Sequence, residues 1–186
     1  MRLPHRIRTG SACKAIPEAG ILHTTKHRRM KRPSWDQYFM TITRQVAERS
    51  TCPRAKVGAV IVRDRNILAT GYNGAPAGVP HCTEVGCLIY ESRAPGGELE
   101  TNCYRSIHAE INAITQAAKN GAAIAGADIY VTHSPCIQCM KVLVNTGVRT
   151  VFYEQPYKME TLKWLLQTAR IDLIQIIPPA PDEAPA

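Results

Sequence analysis

Aromatic side chains are scarce in this chain, at 6% of 186 residues with two phenylalanines and two tryptophans. So thin a supply suits poorly a groove in which successive bases stack on aromatic rings. No stretch approaches the roughly 18 consecutive apolar residues of a membrane-crossing helix, and no secretory hydrophobic region is visible. A soluble, cytoplasmic protein without a membrane partner is expected. No internal repeat is present. Acidic residues are almost missing from the first 33 positions, where Glu18 stands alone against nine lysines and arginines. The net charge of +8 belongs to that segment, because the remainder holds 14 basic and 14 acidic residues. A neutral body argues against a stable nucleic-acid partner, which needs a concentrated basic face.

Residues 1–33 show no sustained apolar periodicity and are expected to form a disordered basic extension. Met30 stands just before the first organised segment, so a solvated extension or an upstream start is favoured over an organelle transit peptide or a nucleic-acid-binding arm. At the other end, 178–186 reads as a Pro/Ala-rich tail. Between them, 34–177 is long enough for one domain with a sizeable core. Ser34-Trp35-Asp36-Gln37 has the form of a capping box, and Tyr38, Phe39, Ile42 and Val46 continue a helical face to about Glu48. Two β-branched runs, 57–62 and 67–72, flank the turn-like Asp64-Arg65-Asn66 and predict a hairpin. Further strands are predicted at 127–132, 150–153 and 172–176, with helices over 109–118, from about 135 to 146, and over 158–169. Alternating strands and helices imply a three-layer α/β/α domain on a mixed sheet of about five strands.

Seven cysteines in a chain with no sign of secretion favour metal over disulfides. The informative pattern is split: His108-Ala109-Glu110, then 24 residues, then Pro135-Cys136-Ile137-Gln138-Cys139. One imidazole and two thiolates leave a zinc coordination position open, and three protein ligands plus water make a metal that lowers the pKa of that water to about 7. His108 and Glu110 fall in the first turn of one predicted helix, with Ile111, Ile114 and Ala118 spaced for its buried face. Cys136 and Cys139 open another, with Pro135 favoured at its first position and Gly147 at its end. A helix N-terminus favours the thiolate form that zinc requires. Glu110 is placed to carry protons; burial would raise its pKa and a metal would lower it.

H-x-E…P-C-x-x-C is an established signature of zinc-dependent nucleobase deaminases, in which zinc activates a water for attack on the ring carbon and the glutamate is not a ligand. Over about 32–157 the chain resembles the deoxycytidylate (dCMP) deaminases, including relatives from the bacterial late-competence operon. Blocks in order carry that resemblance: Arg32-Pro33-Ser34-Trp35-Asp36-Gln37-Tyr38-Phe39-Met40, Ser50-Thr51-Cys52, Val57 to Val62, and Gly71-Tyr72-Asn73-Gly74-Ala75-Pro76-Ala77-Gly78. It implies a cytidine deaminase-like fold and conversion of dCMP and water to dUMP and ammonia, with dUMP supplied for thymidylate synthesis. It also implies catalytic zinc on His108, Cys136 and Cys139, proton transfer by Glu110, a homohexamer, and dCTP and dTTP as effectors. Substrate contacts would map to Asn73 at the deoxyribose, the Ala109 N–H at the pyrimidine carbonyl, and Arg54 or Lys56 at the phosphate. Ordinary surface charge is the competing account of Arg54 and Lys56, and a Gly-flanked turn that of Asn73.

The segment 73–107 is rich in glycine and charge, with little to form a core. Some members of the family carry a second, structural zinc, and Cys52, Cys82, Cys87 and Cys103 would make a closed four-thiolate site, with His81 able to replace one of them. Free thiols are the alternative. Two rival functions remain: a deaminase of cytosine or adenine in nucleic acid, and a non-enzymatic zinc-binding module. The neutral, aromatic-poor body weighs against the first, and Glu110, which would serve no purpose in a structural site, against the second.

Overall fold

A computed structural model describes residues 32–93 and 96–178. The expected extension over 1–33 lies outside them apart from Arg32 and Pro33, and the expected tail apart from Pro178. The first helix, α1, spans Trp35–Ala47. Its start is the capping box: the Gln37 N–H donates to Ser34 Oγ at 3.2 Å and the Ser34 N–H to Gln37 Oε1 at 3.1 Å. The buried face is rotated from the expected one. Phe39, Met40, Thr43 and Ala47 are buried, whereas Tyr38 is exposed and Ile42 and Val46 are only partly covered. Thr43 is accommodated because its hydroxyl donates to the Phe39 carbonyl.

Strands β1 (Gly58–Arg63) and β2 (Asn66–Tyr72) form the predicted hairpin, with Asp64 and Arg65 at φ of 51° and 63° in a two-residue turn that matches strand twist. Next come a short helix α2 (Cys82–Val85), the strands β3 (Ile89–Arg93) and β4 (Leu99–Cys103), and helix α3 (Ala109–Lys119). Strand β5 (Asp128–His133), helix α4 (Ile137–Asn145), strand β6 (Thr150–Gln155), helix α5 (Lys163–Leu166) and strand β7 (Asp172–Gln175) complete the order. Five strands make one sheet in the order β2-β1-β5-β6-β7. β1 pairs antiparallel with β2 and β5, and β5, β6 and β7 run parallel. The sheet is mixed, as expected.

Strand alternation builds the three layers. Ala59, Ile61, Ile129, Val131 and Val151 share one core with residues of α3, α4 and α5; Val60, Val62 and Tyr130 share the other with Phe39 and Met40 of α1. Two glycines set how closely the helices approach. A Cβ at Gly58 would stand 2.3 Å from the Thr43 carbonyl of α1, and one at Gly71 would stand 2.3 Å from both the Ala109 carbonyl and the Ala113 nitrogen of α3. That contact explains a correction. The buried face of α3 is Ala109, Ala113 and Ala117, while Ile111 and Ile114 are half-buried and Ala118 is exposed, because a helix backbone pressed onto a strand admits only small side chains.

The helix predicted over 158–169 is broken. Lys158 is left-handed (φ 45°, ψ 41°), a 3-10 turn follows at Met159–Leu162, and α5 is one turn long. Leu162 and Leu165 still reach the core. The segment 73–107 holds more structure than its composition implied, since β3 and β4 pair from Ile89↔Cys103 to Arg93↔Leu99. Among the described residues, no helix is long and apolar enough to cross a membrane.

Candidate active site

The end of β2, the start of β1 and the end of β5 lie along one sheet edge, as the pairings Gly58↔Tyr72 and Ala59↔Val131 require. α3 and α4 both begin at that edge. His108 is the N-cap of α3 and Cys136 the N-cap of α4, each with extended backbone (ψ 152° and 166°). Pro135 stands one residue before that cap and is fully buried, in place of the expected first helical position. The hairpin with Gly71 holds α3 against the sheet, and the turn from β5 delivers the two cysteines opposite it.

His108 Nδ1 lies 3.5 Å from Cys136 Sγ and 3.4 Å from Cys139 Sγ, and the three atoms lie within 4.8 Å of one another. A tetrahedral zinc with Zn–S of about 2.3 Å and Zn–N of about 2.0–2.1 Å spans N···S edges of about 3.5 Å, so this donor set fits such an ion. The thiol chemistry agrees. Cys136 is held down to about 4, first by its hydrogen bond with Cys139 and then by His108, against burial. Cys139 is pushed up by the same hydrogen bond, by burial and by the Glu110 charge. The pair retains one proton, which a divalent cation would displace. The Cys136 hydrogen bond also raises His108, against burial.

Glu110 is 4% exposed. Burial pushes its carboxyl above the ordinary value, while its own backbone N–H and the His108 charge pull the other way. Above the cluster opens a cavity of about 340 Å³, within the range of small-ligand sites. Ala109 lines it, and as the first residue of α3 its N–H has no carbonyl within the helix to bond.

Asn73, 7% exposed, lines the same cavity with its amide largely engaged. Its Oδ1 accepts from the Val57 N–H at 2.9 Å and from Ser50 Oγ at 2.6 Å, and its Nδ2 donates to the Ala55 carbonyl at 2.9 Å. One N–H of Nδ2 remains for a ligand. The residue shapes the turn and also borders the cavity. The two phosphate candidates separate. Arg54 lines the cavity and donates to the Thr101 carbonyl at 2.9 Å. Lys56 is absent from the lining and pairs with Glu48 at 2.5 Å on exposed surface.

The other cysteines divide as well. Cys82, Cys87 and Cys103 bring their sulfurs within 4.8 Å of one another, with Cys82 and Cys103 at 4.0 Å. Cys52 is outside that group, on the cavity wall. His81 is the N-cap of α2, next to Cys82, and its Nδ1 is buried without a hydrogen-bond partner. Sequence reasoning missed Ser134 and Tyr157 in the lining. Ser134 Oγ donates to the Tyr157 carbonyl at 3.0 Å and accepts its N–H at 2.7 Å, an exchange made by the parallel pairing of β5 and β6. Only the place of Ser134 beside Pro135-Cys136 hinted at it.

The family model for the cytidine and deoxycytidylate deaminase zinc-binding region matches residues 33–155. ComE operon protein 2 of Bacillus subtilis (strain 168) is 50% identical over 129 residues, which cover 69% of this chain and 64% of that protein. The deoxycytidylate deaminase of Schizosaccharomyces pombe is 38% identical over 149 residues, 80% of this chain and 46% of its own length. The chain thus spans between about half and two thirds of these two relatives. It spans 97% of the deoxycytidylate deaminase of Mycobacterium phage D29, at 40% identity over 131 residues. The crystal structure of dCMP deaminase from the cyanophage S-TIM5 in complex with dCMP and dUMP matches with a TM-score of 0.63 at 29% identity, over 78% of this chain and 99% of that one. With its His-x-Glu and Pro-Cys-x-x-Cys segments inside the matched region and meeting at one cavity, the chain belongs to the cytidine and deoxycytidylate deaminase zinc-binding family.

Proposed function

We propose that this chain hydrolyses dCMP to dUMP and ammonia, supplying dUMP for thymidylate synthesis. The carrying observation is the buried Glu110 carboxyl beside His108, Cys136 and Cys139 at the foot of a cavity that Asn73 and Arg54 border. His108 Nδ1 and the sulfurs of Cys136 and Cys139 would hold a zinc ion, which when bound would supply an activated water as the nucleophile for C4 of the pyrimidine. Glu110 carries the two protons of the water consumed, one to N3 and the next to the departing amine, so that water and dCMP leave as dUMP and ammonia. A carboxyl with its pKa raised by burial is suited to give up a proton as well as take one. The Ala109 N–H holds the pyrimidine carbonyl, the remaining Asn73 N–H holds the deoxyribose, and Arg54 meets the 5′-phosphate.

A second zinc on Cys82, Cys87 and Cys103 would tie the β3–β4 hairpin to α2, with its fourth donor from His81 or Cys52. The reading includes a homohexamer, dCTP and dTTP as effectors, and a cytoplasmic location; these rest on the family resemblance. The test is product formation by purified protein offered dCMP, CMP, deoxycytidine, dCTP and a cytosine-containing oligonucleotide in parallel. Rapid dUMP formation from dCMP is expected. Product from the oligonucleotide in preference to dCMP, or from none of them with zinc bound, overturns the reading.

A further inference from the structure

The hairpin of β3 and β4 forms a two-stranded sheet of its own, separate from the five-stranded one. Two strands alone are marginally stable in water, and this pair leaves its apolar Ile89 and Leu99 exposed, at 45% and 63%. It nevertheless supplies a wall of the cavity through Thr101, Asn102 and Cys103 of β4. Polar groups and thiols tie it to the body. Arg54 donates to the Thr101 carbonyl, Lys158 pairs with Glu100, and the Cys103 sulfur gathers with those of Cys82 and Cys87.

Those thiols come from three places. Cys82 is the first residue of α2, Cys87 follows the left-handed Gly86 (φ 78°), and Cys103 ends β4. Cys103 belongs both to this cluster and to the cavity wall, so it can be reached through the cavity, whereas Cys82 is 3% exposed. Their sulfurs stand 4.0 Å apart, and a disulfide needs about 2.05 Å, so closing the pair draws them together by about 2 Å. Thr101 and Asn102 directly precede Cys103, so a pull on the end of β4 towards α2 also moves the wall they form.

We propose that Cys82 and Cys103 are a modification site for a hydroperoxide, which joins them reversibly as a disulfide and thereby displaces the cavity wall and slows turnover. The reachable Cys103 reacts first. Its sulfur attacks a peroxide oxygen, an S–O bond forms as the O–O bond breaks, and one water leaves behind a sulfenic acid. The Cys82 sulfur then attacks the Cys103 sulfur, the S–S bond forms as the S–O bond breaks, and a second water carries away the remaining thiol proton. Two thiols have lost two electrons, and one hydrogen peroxide has become two waters. A zinc on this cluster would lose two of its three thiolates and leave. In a reducing compartment such a bond is transient, as suits an oxidant sensor. The effect on turnover rests on the dCMP reading; the disulfide does not.

The experiment treats the reduced, zinc-loaded full chain with hydrogen peroxide. It follows non-reducing peptide mapping by mass spectrometry, zinc content, and dCMP turnover before and after a dithiol reductant. A Cys82–Cys103 cross-link is expected to grow in step with loss of most of the turnover, with one zinc per chain retained at His108, Cys136 and Cys139. Reductant and added zinc are expected to restore turnover. Cys82→Ser is expected to abolish the cross-link and the reversible share of the loss; where that variant does not fold, mapping and reversal in wild type decide. No cross-link, or one confined to another pair such as Cys136 and Cys139, overturns the proposal. A Cys82–Cys103 cross-link with turnover unchanged, or turnover lost only together with the catalytic zinc, overturns it too. A chain inactive on dCMP before treatment overturns the substrate reading, while the mapping still decides the thiol pair.

Discussion

Ser50 Oγ donates to Asn73 Oδ1 across 2.6 Å and also accepts the Cys52 N–H at 3.2 Å, so a residue outside the cavity wall orients the side chain that borders it. The buried amide is thereby aligned with one N–H left over. Asn73→Ala strands the Val57 N–H and the Ala55 carbonyl, a cost of about 1–3 kcal/mol. Steady-state kinetics and thermal melts should show kcat/KM for dCMP falling at least about tenfold together with a lower Tm. Ser50→Ala should show both effects in weaker form. Unchanged kinetics in Asn73→Ala would leave that residue a purely local role.

Glu110→Gln keeps the shape and removes the proton carrier. Turnover should fall by about 10²- to 10⁴-fold while the metal content of the purified protein stays the same. Loss of zinc from this variant would count Glu110 among the ligands.

The same substitution carries a pH signature in metal-depleted protein. Folding raises the Glu110 pKa, so the folded state binds this proton more tightly than the unfolded chain does. The stability that Glu110 contributes is complete below its unfolded value of about 4.3 and is lost as pH rises through the raised folded value. Glutamine does not titrate. Melts after chelation should therefore show Glu110→Gln gaining on wild type from pH 4 towards neutrality, by about 2–4 °C for each kcal/mol of relieved cost. A constant difference across that range would refute the assignment of burial as the dominant influence.

Gly71→Ala changes a residue that offers no ligand atom but should still reach the metal. Its Cβ would stand 2.3 Å from two backbone atoms of α3, so α3 must lift and carry His108 away from Cys136 and Cys139. Overpacking of this kind costs about 1–3 kcal/mol. Competition with a chromogenic chelator should show weaker zinc binding, and full affinity in the variant would show the helix start to be pinned by other contacts.

Zinc content separates the two thiol clusters. Two ions per chain are expected in wild type and one in Cys87→Ser, with a lowered Tm from a loosened β3–β4 hairpin. One ion in wild type removes the second site. Arg54→Ala should raise KM for dCMP and Lys56→Ala should leave it unchanged, because only Arg54 lines the cavity.

Local chemistry was legible along the chain wherever the deciding partners are close in sequence. Ser34 and Gln37 cap α1 from three residues apart, the β-branched runs around Asp64-Arg65 fold back on each other, and His-x-Glu with Cys-x-x-Cys names a donor set by its spacing. The hairpin of β3 and β4 was not legible, since polar Glu91, Ser92, Glu100 and Thr101 give no alternation to read, although Gly96-Gly97 marked its turn. Nor was the small-residue face of α3, where the size of the apolar residues misled because the constraint comes from Gly71, some forty positions away.

The sequence by itself determined the chemistry: an imidazole, two thiolates and a carboxylate of the types and order that one reaction class needs, on a neutral α/β domain. Only the tertiary structure decided which side chains share a volume. It put Arg54 in the cavity and Lys56 outside it, collected three of four candidate thiols, and buried Glu110. The physical reason is that spacing fixes neighbours only along one element, whereas contact between elements depends on strand order and on how closely helices can press against the sheet.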